Sequence, residues 1–194
     1  MPHAFIPFAG QNERPAAHPL FRRRWRGAFT VVELLVVLGI IAVILAIVLP
    51  VMSRARAAGR SVTCLSNLRQ LSLAFHLFAE RNHGHLPDPS ITNLSWESSL
   101  LPYTQANAFG CPADGELLPT LGSSYDWRDT ADPQTTLAGK DILGPHRASL
   151  VLVFESLPGW HVKGQINAAM MDGSARPMSN EQCLRDLDRA NELP

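Results

Sequence analysis

A single carboxylate interrupts the most apolar part of this chain. Glu33 lies near the start of the run from Phe29 to Leu49, which is otherwise free of charge. A carboxylate opposes membrane insertion by about 2.5–3.5 kcal/mol near the bilayer centre and by less near an edge. A bare anchor gains nothing from that cost, so Glu33 is expected to have a functional partner of opposite charge. Elsewhere, the polar residues that could bind something are Asp114, Glu155, His161 and Asp172. They lack the dense oxygen-ligand spacing of a calcium loop. Asp172 precedes Gly173 and reads as a turn residue before it reads as a metal ligand. His161 reads as a loop residue that hydrogen-bonds locally, and His83 and His85 flank a helix end. Cys64, Cys111 and Cys183 are the three cysteines, too few for a disulfide scaffold and spaced for no zinc motif. No Ser-His-Asp or Cys-His arrangement has supporting motif context, so no catalysis is expected.

The elements that carry these residues follow from hydrophobic periodicity. The 194 residues suit one domain plus an anchor, and the 17 basic and 17 acidic residues balance, so nucleic acid is not an expected partner. The apolar run is long enough, as a helix, to cross a bilayer. Pro50 closes it, where a kink or local loosening is expected. Beyond Pro50 the pattern turns amphipathic: Ala55, Ala58, Val62, Leu65, Leu68, Leu71, Phe75 and Phe78 recur every three or four residues. Asn82-His83-Gly84 ends that helix, with Gly84 as the left-handed cap.

The expected fold is α+β: a long N-terminal helix, its first half transmembrane, packed on a small antiparallel sheet. Trp96 to Tyr103 is a short helix after Ser95, 114–119 is loop, and Ser123 to Arg128 is a strand with Tyr125 and Trp127 on one face. The polar stretch 129–144 is loop, and Leu150 to Phe154 is a buried strand. Asp172-Gly173 turns a hairpin between Ile166–Met171 and Ala175–Met178. A capping box over Ser179 to Gln182 opens a final helix reaching about Asn191.

The residues around the apolar run carry a resemblance. Arg22-Arg23-Arg24-Trp25-Arg26-Gly27-Ala28 is basic and then small, and Phe29-Thr30-Val31-Val32-Glu33 follows. This resembles the N-terminus of type IV pilins and type II secretion pseudopilins, with Glu at the fifth mature position. Here Ala28 stands where that family usually has Gly. The resemblance implies cleavage between Ala28 and Phe29 by a prepilin peptidase/N-methyltransferase, methylation of the Phe29 amine, and assembly through Glu33 pairing with the Phe29 amine of a neighbour. Met1 to Leu20, rich in proline, belongs to the discarded leader. A secretory signal peptide fits less well: the run is longer than an h-region, and no small-x-small site closes it.

A second resemblance lies in Cys64-Leu65-Ser66-Asn67-Leu68, Phe109-Gly110-Cys111-Pro112 and the stretch from His161 to Asp172-Gly173. These are similar to a pseudopilin-like family with a cysteine-bearing helix, a Cys-Pro element and a later His-x9-Asp-Gly element. Here ten residues separate His161 from Asp172. Cys64 and Cys111 are the candidate disulfide, because a loop carrying Cys111 could cover the helix carrying Cys64; buried free thiols are the equal alternative. Cys183 reads as core. No metal or cofactor is expected, although major pseudopilins hold calcium in a C-terminal loop.

These readings divide the chain into a leader (1–28), a long helix (29–83, of which 29–50 spans the membrane and 51–83 is amphipathic) and an α+β head (84–194). The expected protein is a single-pass inner-membrane subunit with an extracytoplasmic head. Its partners are the peptidase, other pilin-like subunits and the inner membrane. It would build a type II secretion pseudopilus or type IV pilus-like filament. The competing reading is a single-span anchored extracytoplasmic binding or sensor module that captures a ligand near His161 and Asp172.

Overall fold

The computed structural model describes residues 29–142, 147–162 and 164–189. Ala28, the rest of the leader and Asn191 lie outside them. The chain divides after Leu45 into two units. Helix α1 (Val31–Arg81) begins in the first and is uninterrupted at Pro50. Ser53 Oγ donates to the Pro50 carbonyl at 2.9 Å. From Val31 to Met52 its large apolar side chains are exposed. It is the one helix among the described residues that is long and apolar enough to cross a membrane.

The second unit is an α+β head. Four antiparallel strands lie in sequence order: β1 (Tyr125–Trp127), β2 (Val151–Glu155), β3 (Gln165–Met170) and β4 (Ala175–Ser179). Short helices α2 (Pro89–Thr92), α3 (Trp96–Leu100) and α4 (Leu117–Leu121) precede the sheet, and α5 (Asn180–Leu187) follows it. One core joins α1 to the sheet through Cys64, Leu68, Leu71, Ala74, Phe75, Trp127, Leu152, Val153 and Ala169. A smaller core lies under α5 and contains Val151, Ile166, Ala168, Met170 and Cys183.

Several local expectations are met with changes. The helical stripe is buried only from Cys64 onward; Ala55, Ala58 and Val62 are exposed, because no part of the head covers them. The α1 C-terminus uses two left-handed residues, His83 (φ 58°) and Gly84 (φ 88°), and the Gly84 N–H reaches back to the Ala79 carbonyl at 2.8 Å. That six-to-one bond is the mark of a Schellman ending. The 114–119 stretch is not all loop. The Asp114 carboxylate accepts from the N–H groups of Glu116, Leu117 and Leu118 at 2.8–2.9 Å and so opens α4. Pro119 sits in the first turn, where its missing N–H is not needed.

The hairpin forms where expected, but only Gly173 (φ 84°) is left-handed. Its N–H bonds the Met170 carbonyl at 3.0 Å, and Asp172 Oδ1 accepts from the Ser174 N–H at 2.8 Å. The loop is thus longer than a two-residue turn. The Ser179–Gln182 capping box is reciprocal, and α5 ends at Leu187, short of the expected end.

Phe75 anchors the main core. It stacks on Trp96 at 5.9 Å between ring centroids and packs against Trp127 at 5.0 Å. Phe75→Ala should lower the unfolding free energy of the head by about 3–5 kcal/mol. Leu73→Ala, on the 58 % exposed side of the same helix, should change it by less than about 0.5 kcal/mol. Urea unfolding of both variants in detergent, followed by tryptophan fluorescence, checks the contrast.

Candidate functional site

Four side chains from four separate segments converge beneath α1. Cys64 comes from the helix, Cys111 from the loop after the 3₁₀ turn Ala106–Phe109, Glu155 from the end of β2, and His161 from the loop before β3. One ligand atom from each lies within 4.8 Å of all the others. Glu155 Oε1 is the common neighbour. It accepts from Cys64 Sγ at 2.6 Å, and lies 3.0 Å from His161 Nε2 and 4.0 Å from Cys111 Sγ. Cys111 Sγ is 3.3 Å from His161 Nε2. Cys64 is fully buried, Glu155 is 1 % exposed and Cys111 4 % exposed.

A register change delivers Glu155 to this place. Simple alternation from Leu150 and Leu152, which face the main core, would turn residue 155 toward α5. The β2–β3 pairing instead slips between Val151 and Val153. Leu152 and Val153 therefore both join the main core, while Phe154 packs with the α5 core. A bulge inserts one residue and reverses every later side chain. Glu155 emerges on the α1 face.

The surrounding groups hold the four in position. Asn167 donates to both Glu155 oxygens, from its backbone N–H at 2.9 Å and from Nδ2 at 3.0 Å. Tyr125 Oη donates to Cys64 Sγ at 3.2 Å. One turn along α1 from Cys64, Asn67 Nδ2 donates to the Gly110 carbonyl at 2.8 Å. The i,i+3 spacing places Cys64 and Asn67 on one face, so both grip the Gly110-Cys111 segment. Cys111 N–H donates to Ser124 Oγ at 3.0 Å, and that hydroxyl donates to Asp114 at 2.6 Å. Burial opposes the Asp114 charge, but the bonds from Ser124 and three backbone N–H groups outweigh it and lower the pKa of the carboxyl.

The two central thiols differ. Cys64 is pushed far up by its contact with Cys111, by burial and by the Glu155 charge. The same contact, against burial, brings Cys111 down to about 7. Burial and then Cys64 push the Tyr125 hydroxyl up. His161 Nδ1 is buried without a hydrogen-bond partner among the described residues.

The site residues named from sequence fall into three groups. Cys64 and Cys111 lie within 4.8 Å of each other, but the structure carries both as free thiols and not as the candidate disulfide. Glu155 and His161 join them, whereas Asp172 stays in the hairpin turn and Asp114 acts as a helix cap. Phe29 is 73 % exposed at the start of the apolar helix. Glu33 is partnered within its own chain: its Oε2 accepts from Thr30 N and Thr30 Oγ1, both at 2.9 Å, and its N–H donates to Thr30 Oγ1 at 3.2 Å. Thr30 and Glu33 thus form a capping box. That motif, Thr-x-x-Glu, was present in the sequence and was missed beside the charge argument. Tyr125 and Asn167 also went unread as site residues.

No protein-family model matches the chain, nor does any curated protein or solved structure. The Cys111–His161 distance would suit a nucleophile and its base. Both cysteines, however, are enclosed among the described residues, and the four side chains form a compact buried cluster.

Asp114 supports both α4 and Cys111. Asp114→Ala should destabilise the head by about 1–2 kcal/mol through the lost cap, and Asp114→Asn by less, since its carbonyl oxygen still accepts. Thermal and urea unfolding of the two variants check the order.

Proposed function

We propose that this chain is a pilin-like structural subunit. It is made as an inner-membrane precursor with an extracytoplasmic head, cut between Ala28 and Phe29, and assembled through α1 into a type II secretion pseudopilus or type IV pilus-like filament. The observation that carries this reading is the lone carboxylate at the head of an exposed apolar helix, the fifth residue after a basic-then-small junction. The exposed apolar surface from Val31 to Met52 needs lipid or neighbouring helices around it. Both are supplied if the helix first spans the membrane and then packs among its copies.

The capping box sharpens the role of Glu33. Within one chain the carboxylate satisfies the Thr30 N–H and hydroxyl. On cleavage, Phe29 gains a charged amine one residue before that cap. In the filament, Glu33 of one subunit pairs with the Phe29 amine of the next, where no water competes. Removing one member of a buried pair costs about 3–5 kcal/mol, because the other charge is stranded.

Two variants separate charge pairing from capping. Glu33→Gln keeps an oxygen that can accept from Thr30 but removes the charge; Glu33→Leu removes both. Both proteins should be inserted and cleaved, and neither should co-purify with wild-type subunits at normal yield. Normal assembly of Glu33→Gln would show that Glu33 serves only as a cap. Mass analysis of the membrane-extracted protein should find methylated Phe29 at the N-terminus. A chain that keeps Arg22–Arg26 in cells containing the peptidase would overturn the subunit reading and favour an anchored binding module.

A further inference from the structure

We infer that Cys64, Cys111, Glu155 and His161 bind one zinc ion, which fastens α1 to the head. The inference rests on the head alone and does not depend on the subunit reading. Its basis is convergence: four potential ligands, far apart in sequence, direct Sγ, Sγ, Oε1 and Nε2 into one space within 4.8 Å.

The distances fit the metal. Zinc bonds of about 2.3 Å to sulfur and 2.0–2.2 Å to nitrogen or oxygen, arranged tetrahedrally, separate neighbouring ligand atoms by roughly 3.3–3.8 Å. Four of the six edges are 2.6 Å (Cys64–Glu155), 3.0 Å (His161–Glu155), 3.3 Å (Cys111–His161) and 4.0 Å (Cys111–Glu155), and the two from Cys64 to Cys111 and His161 are within 4.8 Å. They bracket that range, so small side-chain adjustments complete the tetrahedron. Two sulfurs and an imidazole select zinc over calcium, which takes six to eight oxygens.

The charges and supporting bonds also fit. Binding releases the thiol protons to solvent and forms two Zn–S, one Zn–N and one Zn–O bond. Two thiolates and one carboxylate against Zn²⁺ leave one negative charge. Donors already surround it: Tyr125 Oη on Cys64, the Ala113 N–H on Cys111 at 3.4 Å, and both Asn167 groups on Glu155. Such outer contacts orient ligands and tune affinity. All four positions are filled by protein and enclosed, which describes a structural zinc rather than a catalytic one with an open position.

The location gives the ion its task. Cys64 is the first buried residue of α1 among those described. A metal there ties the point where the helix enters the head to the Cys111 loop, the end of β2 and the His161 loop. A disulfide between Cys64 and Cys111 would consume two of the ligands, so the two arrangements exclude each other.

The test uses the full chain, extracted in detergent without oxygen and equilibrated with Zn²⁺. Elemental analysis should find one zinc per chain. X-ray absorption at the zinc edge should show two sulfurs near ~2.3 Å and two lighter atoms near ~2.0 Å. Replacement by Co²⁺ should give the visible bands of a tetrahedral thiolate site. Asn167→Ala should weaken zinc binding by about 10–100-fold, and Cys183→Ser should leave it unchanged. Cys64→Ser and His161→Gln should lose the metal. If those variants fail to fold, the cobalt spectrum and the zinc edge of the unaltered chain still decide. No bound zinc with the thiols reduced, a shell without sulfur, or a Cys64–Cys111 disulfide in the protein as isolated would overturn the proposal.

Discussion

The Glu155 carboxylate is the contact on which the head depends. It is 1 % exposed and sits under a helix that offers no lysine or arginine to it. Burying a carboxylate is expensive unless its oxygens are satisfied. Asn167 serves both oxygens, while Cys64 and His161 approach one of them. Those partners belong to three different segments, so satisfying one side chain brings α1, β3 and the loop before β3 together. Farther along α1, Phe75 packs between Trp96 and Trp127. The Glu155 cluster fixes how the helix enters.

That arrangement rests on a small irregularity. Without the bulge between Val151 and Val153, Glu155 would face α5 and its core of Ile166, Ala168 and Met170. The bulge is therefore part of the site, although it lies at the other end of β2 from the charge. The α5 side is held separately, by buried Arg128, whose guanidinium lies 3.3 Å from the Asp186 carboxylate and donates to the Thr135 carbonyl at 2.7 Å.

Much of the fold was legible because it follows local rules. An unbroken apolar run marked β2 as a buried strand, the Asp172-Gly173 signal marked the hairpin, and Ser179 with Gln182 marked the start of α5. The site was legible only in part. Cys64 and Cys111 could be paired by supposing a loop over a helix. His161 and Glu155 stood out, with Asp114 and Asp172, as polar residues that could bind something, but nothing joined them to the cysteines. Local zinc motifs depend on short spacings, whereas these ligands meet through sheet register and helix packing. A bulge leaves no mark in the sequence around Leu152. Exposure of Ala55, Ala58 and Val62 was equally hidden: periodicity continues along α1, but the head that would cover it does not.

The proposed subunit would thus use two charges in two settings, Glu33 between neighbours in the apolar layer and Glu155 inside each head. The central claim is that Glu155 fastens the foot of the helix. Native-state hydrogen exchange along α1, in the unaltered chain and in Glu155→Ala, tests it most directly. Faster exchange over residues 61–68, with the β3–β4 hairpin and α5 unchanged, is the predicted result. Equal protection of residues 61–68 in the two proteins would contradict the account.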